Sequence, residues 1–194
     1  MKSIQIFSIV IITIIITTTI KSSTLLTHAC AYSNESVARF REQILKKKVI
    51  NPGVAMDWPI DLCEFWISSL YGMRKNPSGT KMHNGIDMAA LKGTDVRAAA
   101  DGIVKSTNNN ISGYGNLIEI EHPNQIITRY AHLQDKYVST GDFIKKGEII
   151  GKVGSTGNVR GIDPSHLHFE IFINGIRVNP LPYLYAAERN NKNL

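Results

Sequence analysis

The sequence predicts a mainly β fold, a compact antiparallel β-sheet domain that follows a signal segment and a short helix. After Met56 the chain consists of short β-prone runs cut by glycines and asparagines. No helical periodicity competes with these runs between residues 80 and 180. The chain has 194 residues and 15 glycines, which suits one domain with many turns and an attachment segment, and is too short for two domains around separate cores.

The amino-terminal segment, residues 1–31, has the features of a signal peptide. The stretch 3–20 contains no ionisable side chain and eleven Ile, Val or Phe residues. Ala29 and Ala31 are the small residues that a signal peptidase prefers, which predicts cleavage after Ala31. Two alternatives stay open, retention of residues 3–20 as a membrane tether and lipidation of Cys30. Each of the three predicts export to the cell envelope, either the periplasm or the cell surface.

The charge of the chain favours anionic surroundings. The formal net charge is +6 and the pI is about 9.3; removal of residues 1–31 takes away two lysines and no acid, which leaves +4. Nucleic acid, anionic lipid and an acidic cell-wall polymer all fit this charge, which by itself does not choose among them. Nucleic acid is not expected, because the only basic cluster, Lys46–Lys48, lacks interleaved aromatic residues. The same removal would leave Cys63 as the single cysteine, which we expect to be a small buried residue.

The rest of the chain divides into a linker, one domain and a tail. Residues 32–55 are predicted to be a helical linker, residues 56–185 the β domain and residues 186–194 a polar tail. Within the domain we expect strands at Leu117–Glu121, Ile126–Ala131, Glu148–Val153 and His168–Ile173. Asn108–Asn110 are expected in a polar loop, and His122, which precedes a proline, in a turn.

The stretch from Ser165 to Ile171 carries the first candidate site. Residues two apart on a strand project from one face, so His166 and His168 lie side by side while Leu167 and Phe169 enter the core. A pair of histidines two residues apart is weak evidence for a metal site, because such pairs also occur on solvated faces.

A second histidine motif strengthens the case. In His83-Asn84-Gly85-Ile86-Asp87 an imidazole and a carboxylate flank a glycine that lets the backbone turn, and nitrogen and oxygen donors together suit Zn²⁺. A catalytic zinc keeps three protein ligands and one place for water. The β region offers five candidate donors, and spacing alone leaves open which three bind: His83, Asp87, His132, His166 and His168.

Taken in order, these motifs resemble a known family. Met82–Asp87, Tyr130–Leu133 and His166–Glu170 are similar to the corresponding motifs of the lysostaphin-type (LytM) zinc metallopeptidases, which cut peptidoglycan cross-bridges. The likeness extends over about residues 65 to 182. It includes Gly113–Asn116 and Gly141–Gly151. One departure is the longer loop at residues 157–165, which borders the site and affects substrate preference.

The resemblance implies the fold, the site and the activity. The fold would be an open β-sheet groove of the duplicated hybrid motif type, in a monomer. His83, Asp87 and His168 would hold one zinc per domain, and a zinc-bound water would attack a peptide carbonyl. His132 and His166 would be catalytic, one deprotonating the water and the other stabilising the developing negative charge. Tyr114 would line the groove and bind substrate. The chain would then be an exported metalloendopeptidase acting on the peptide cross-links of peptidoglycan.

Two other functions stay open at this stage. A noncatalytic relative would keep the fold and bind peptidoglycan or activate other cell-wall hydrolases; such relatives typically lose ligands, whereas all five donor positions are filled here. A lipoyl or biotinyl carrier would need one lysine at a hairpin tip, but Lys145 and Lys146 lie ahead of the glycine at 147.

Overall fold

The structure of the chain is a computed structural model that describes residues 56–76, 79–159 and 164–185. The predicted signal segment, the helical linker and the polar tail lie outside the described residues. All described residues belong to one compact unit. In this part of the chain no helix is long and apolar enough to cross a bilayer.

Thirteen strands make up most of the described chain, and residues 181–185 add one short helical stretch. The strands are β1 (Phe65–Ser69), β2 (Gly72–Asn76), β3 (Gly79–His83), β4 (Ile86–Ala90), β5 (Asp95–Arg97), β6 (Gly102–Ile111), β7 (Gly115–His122), β8 (Ile126–Ala131), β9 (Leu133–Lys136), β10 (Phe143–Ile144), β11 (Ile149–Val153), β12 (His166–Ile173) and β13 (Ile176–Val178).

These strands form three antiparallel sheets. The largest has eight strands in the order β1-β4-β12-β8-β7-β6-β10, with β13 paired to β12. A three-stranded sheet has the order β5-β11-β9, and β2 and β3 form a separate hairpin. The mainly β, antiparallel fold expected from the sequence is therefore confirmed.

The two faces of β12 show how the large sheet separates core from site. Leu167, Phe169 and Ile171 are completely buried in the apolar core. His166, His168 and Glu170 alternate with them and therefore lie on the opposite face. We refer to this second face of the eight-stranded sheet as the site face. The alternation predicted for this segment is confirmed.

The four predicted strands correspond to β7, β8, β11 and β12, and two local expectations are wrong. Asn108–Asn110 are not in a loop, because β6 continues to Ile111 and pairs with β7 there; backbone pairing overrides the low strand propensity of asparagine. His122 is the last residue of β7 and only 4% exposed. It is held in the interior by a hydrogen bond from Nδ1 to the Asp101 carbonyl at 2.7 Å.

The start of the domain also differs from expectation at Cys63. This residue is exposed and disulfide-bonded, whereas we expected a buried and unpaired thiol. The other cysteine of the sequence, Cys30, lies outside the described residues. Nearby, the ring of Trp58 packs on Phe65 and Tyr185 at centroid distances of 5.3 and 5.2 Å. Aromatic packing thus fixes both ends of the described chain to the core.

Candidate active site

Neighbouring strands bring the candidate ligands together on the site face. His168 of β12 is paired in register with Asp87 of β4 on one side and with Ala131 of β8 on the other. His83 is the last residue of β3, separated from β4 by a two-residue turn. Paired residues in antiparallel strands present their side chains on the same face. His83, Asp87 and His168 therefore converge although they are far apart in the sequence.

The three side chains form a compact cluster of donor atoms. His83 Nε2 lies 3.1 Å from Asp87 Oδ1 and 3.2 Å from His168 Nδ1, and the last two atoms are 2.7 Å apart. A tetrahedral zinc with bonds of 2.0 to 2.1 Å holds its ligands about 3.3 Å apart. The cluster is the one group of three or more metal-ligating side chains among the described residues. Its composition and spacing fit a divalent metal ion such as zinc.

Gly85 makes this convergence possible. A Cβ added at this position would collide with the carbonyl oxygen of Phe169 on β12. The glycine therefore permits the close approach of the turn after β3 to β12, which brings His83 over Asp87. We expected the glycine to serve a tight turn, but close contact between two backbones is the reason found in the structure.

A hydrogen bond on the outer side of His83 and an ion pair on the outer side of Asp87 orient these two donors. His83 Nδ1 lies 2.7 Å from the Leu70 carbonyl, which can only accept, so Nδ1 carries the proton and Nε2 is left for the cluster. Arg74 lies 3.6 Å from the second oxygen of Asp87, Oδ2, and donates to the Ser69 hydroxyl at 2.9 Å. The sequence motifs contain no signal that pairs Arg74 with Asp87.

Charge interactions inside the cluster set the protonation of its carboxylate. Burial raises the pKa of Asp87, but hydrogen bonds from His168 and His83 outweigh this effect and lower the pKa far below its ordinary value. Burial lowers the pKa of His168, and the hydrogen bonds to Asp87 and Glu170 more than compensate, so its pKa is raised. Asp87 is therefore ionised and able to bind a cation.

The two remaining histidines lie next to the cluster. The rings of His132 and His166 are 4.7 Å apart between centroids, and the His132 ring is 5.8 Å from that of His168. Their Nδ1 atoms donate to the carbonyls of Thr156 and Pro164, both at 2.8 Å. In both rings Nε2 is therefore the atom available for chemistry. Burial, together with the neighbouring His166, lowers the pKa of His132 to about 4, so this imidazole is neutral at pH 7.

A strained backbone directs His132 toward the site. The residue follows β8 with φ of 63°, a left-handed conformation that costs a non-glycine residue about 1 kcal/mol or more. Its N–H donates to the Tyr114 carbonyl at 2.8 Å. Gly115 and Gly157, both at positive φ, are so close that neither could carry a Cβ. This contact joins the loop that contains Tyr114 to the loop of Thr156, whose carbonyl accepts a hydrogen bond from the His132 ring.

Comparison with known proteins identifies the family. The sequence profile of peptidase family M23 matches residues 81–180, which include both histidine motifs and all five candidate donors. The chain belongs to peptidase family M23. Relatives include the peptidoglycan DD-endopeptidase ShyC of Vibrio cholerae, 46% identical over 101 residues, and the murein hydrolase activator NlpD of Escherichia coli, 42% identical over 102 residues. The matches cover 52% and 53% of this chain, but 22% and 26% of the two relatives.

Solved structures of two bacterial peptidases are similar to this fold. A zinc-containing peptidase from Vibrio cholerae is similar with a TM-score of 0.60 and 33% identity, over 66% of this chain and 39% of that one. Lysostaphin from Staphylococcus simulans is similar with a TM-score of 0.57 and 30% identity, over 69% of this chain and 54% of that one. The lysostaphin-type resemblance inferred from the motifs is confirmed.

The six site residues predicted from the sequence lie together in this M23 domain, whereas His122 lies elsewhere in the core. Tyr114 reaches the cluster from its loop, with its ring 5.8 Å from that of His168. Its hydroxyl donates to Glu170 at 2.9 Å. Glu170 was not among the predicted site residues, although it follows His168 on the same face of β12.

Proposed function

We propose that this M23 domain is a zinc-dependent endopeptidase that hydrolyses peptide cross-links of peptidoglycan. The main support is the convergence of three ligand donors with two further imidazoles, the buried His132 and the partly exposed His166. The relatives named as peptidoglycan hydrolases support the substrate class. Because the chain spans about a quarter of the length of these curated relatives, its substrate is itself part of the proposal.

His83 Nε2, Asp87 Oδ1 and His168 Nδ1 would hold one zinc ion. When bound, zinc acts as a Lewis acid that polarises a carbonyl and lowers the pKa of water to about 7. Asp87 contributes a negative charge, and the two imidazoles contribute neutral nitrogen atoms when zinc is bound. This donor set favours zinc over calcium or magnesium, which prefer oxygen ligands.

His132 and His166 would move the protons of the reaction. The neutral His132 ring has a free Nε2 that can accept a proton from the attacking water. The partner ring also donates its Nδ1–H to the backbone, so it would have to carry a second proton, on Nε2, to donate as an imidazolium to the oxygen on which negative charge develops. The Nδ1 hydrogen bonds to backbone carbonyls keep both rings in the orientation that these transfers need.

Tyr114 is proposed to contribute to the wall of the substrate site. Its side chain is partly exposed and belongs to a glycine-containing loop beside the donors. Its hydroxyl is engaged with Glu170, so the ring face is the part of the residue available to a substrate. We also propose export to the envelope, either with cleavage of the predicted signal segment or with residues 3–20 as a membrane tether.

A second candidate is an activator of other cell-wall hydrolases. It is favoured by the 42% identity to NlpD, which is named as a murein hydrolase activator. The full set of three ligand donors and two histidines supports the peptidase instead, since a noncatalytic regulator has no chemical need for a buried, charged cluster.

Digestion of purified muropeptides tests the two functions directly. The zinc-loaded protein is incubated with cross-linked muropeptides, with and without a chelator, and the products are analysed by mass spectrometry. Cleavage that requires metal, and that is absent in a His168→Ala variant, is expected of the peptidase. No products from the zinc-loaded protein, together with stimulation of a separate hydrolase, would instead establish the activator.

A further inference from the structure

The four site histidines differ in how their rings are oriented. Three of them donate Nδ1–H to backbone carbonyls, at Leu70, Pro164 and Thr156. His168 is reversed, because its Nδ1 faces the cluster and its Nε2 lies 3.1 Å from the side-chain carboxylate of Glu170. The orientation of this one ligand therefore depends on a side chain and not on the backbone.

Glu170 is completely buried and all its hydrogen-bonding positions are used. Its Oε1 atom accepts from His168 Nε2 at 3.1 Å and from the Tyr114 hydroxyl at 2.9 Å. Its Oε2 atom accepts from Arg129 Nη1 at 3.0 Å and from Arg177 Nε at 3.1 Å. Four donors occupy the four lone pairs of the carboxylate. The carboxylate has no freedom to rotate without breaking at least one of these contacts.

The two arginines make the buried charge tolerable and fix its position. Arg129 also contacts Glu119, with 2.6 Å between Nη2 and Oε1. The guanidinium of Arg129 lies 4.9 Å from the ring centroid of Tyr114 and 4.7 Å from that of Phe172. An isolated carboxylate at this depth would be strongly unfavourable, and removal of one partner leaves an uncompensated charge. The network spans β8, β12, β13 and the loop of Tyr114.

We propose that Glu170 is a positioning residue that sets the affinity of the site for its metal ion, an inference that rests on the proposed zinc-dependent function. By accepting from Nε2–H it selects one tautomer of His168 and one orientation of the ring. The lone pair of Nδ1 is then directed at the position bounded by His83 Nε2 and Asp87 Oδ1. Without this acceptor the His168 ring can take the other tautomer, in which Nδ1 carries the proton, or rotate about χ2 so that Cδ2 replaces Nδ1 at the cluster.

Three variants test this role against a purely structural one. Glu170→Ala removes the acceptor, and Glu170→Gln keeps the volume but leaves one oxygen, which, when it faces the charged Arg129 and Arg177, turns the amide NH₂ toward His168 Nε2. Glu119→Gln is the matched control, because it also weakens an Arg129 ion pair on the site face and does not touch His168. Zinc affinity is measured by competition with a chromophoric chelator, and the His168 tautomer by ¹H–¹⁵N NMR of the zinc-loaded protein.

Glu170→Ala is expected to weaken zinc binding by about 10- to 100-fold, with loss of the Nε2–H signature of His168. Glu119→Gln is expected to stay within about twofold of the wild type. If Glu170→Ala does not fold, Glu170→Gln decides the question by the same two measurements. Wild-type zinc affinity and an unchanged tautomer in a folded Glu170 variant would overturn the proposal, as would an equal loss in Glu119→Gln. A wild-type protein that binds zinc but cleaves no muropeptide would refute the peptidase and leave this comparison standing.

Discussion

The imidazoles of His132 and His166 lie 4.7 Å apart between centroids, and each donates Nδ1–H to a backbone carbonyl. Neither ring is part of the three-donor cluster, although the distance from His166 Nε2 to Asp87 Oδ1 is only 3.8 Å. This arrangement supports the proposed division of the four histidines into two zinc ligands, His83 and His168, and two proton-transfer residues, His132 and His166. This division leads to the first prediction.

His132→Gln and His166→Gln should each lower kcat for muropeptide cleavage by about 10²- to 10⁴-fold, the usual contribution of a general acid or base. Zinc affinity should change little, because neither residue supplies a ligand. Single-turnover kinetics and chelator competition on the same preparations measure both quantities. Activity that survives in both variants would refute the catalytic assignment, and loss of zinc would move the residue to the ligand group.

His168→Ala should abolish both zinc binding and cleavage. The substitution removes one of the three donors and leaves the Glu170 carboxylate without one of its four partners. Bound zinc, measured by atomic absorption after gel filtration, should fall from about one per chain to background. His122→Gln is the matched control, since it removes another buried histidine that lies outside the site. An active His168→Ala protein would contradict the ligand assignment.

Trp66 is predicted to contact substrate. It pairs in register with Ala89, which pairs with His166, so the three side chains form one row on the site face. Two strand spacings of about 4.8 Å place Trp66 roughly 10 Å from the His166 strand, within reach of a bound cross-link. The tryptophan is 67% exposed, and Ala89, which lies between it and His166 in this row, carries only a methyl group.

Trp66→Ala should raise KM by about 3- to 10-fold, with kcat nearly unchanged, because an aromatic contact of this kind contributes about 0.5 to 1.5 kcal/mol. Trp66→Phe should recover most of the loss. Phe143→Ala provides the control, since Phe143 is also an exposed aromatic residue (65%) but lies on β10, at the opposite edge of the same sheet. Equal KM values for wild type and Trp66→Ala would exclude the contact.

The alternation of β12 explains why much of the site could be predicted from the sequence. A period of two residues in Ser165–Ile171 predicts two histidines on one face and two apolar residues in the core. The structure has both the histidine pair on one face and the apolar pair in the core. The same period puts Glu170 beside His168, so that position could have been anticipated. The two arginines that contact Glu170 could not have been predicted. Arg129 and Arg177 come from other strands, and no local pattern links them to β12.

His122 shows the opposite case, in which a local pattern misled. The following proline predicted a turn, yet the imidazole is buried, with Nε2 2.7 Å from the Thr128 hydroxyl. Thr128 in turn hydrogen-bonds the Tyr130 hydroxyl at 3.0 Å. These contacts depend on the pairing of β7 with β8, which the residues around 122 do not specify.

This buried histidine yields a prediction about stability and pH. Burial lowers the pKa of His122 below its ordinary value of 6.5, and the contact with Asp101 opposes this only partly. The unfolded chain therefore takes up a proton at this residue as the pH falls through about 6.5, while the folded protein does not. The free energy of unfolding should therefore fall as the pH drops from about 6.5 to the lower pKa of the folded protein. The fall should be up to about 1.4 kcal/mol per pH unit.

Urea unfolding of the zinc-free protein between pH 5 and 8 measures this effect as the difference between wild type and His122→Gln. The difference removes the contributions of the site histidines, which are common to both proteins. Tyr130 does not titrate in this range, because burial raises its pKa to about 12. The wild-type free energy of unfolding should fall more steeply below pH 6.5 than that of the variant. Parallel curves would show that His122 is protonated equally in the folded and unfolded chains and would contradict the prediction.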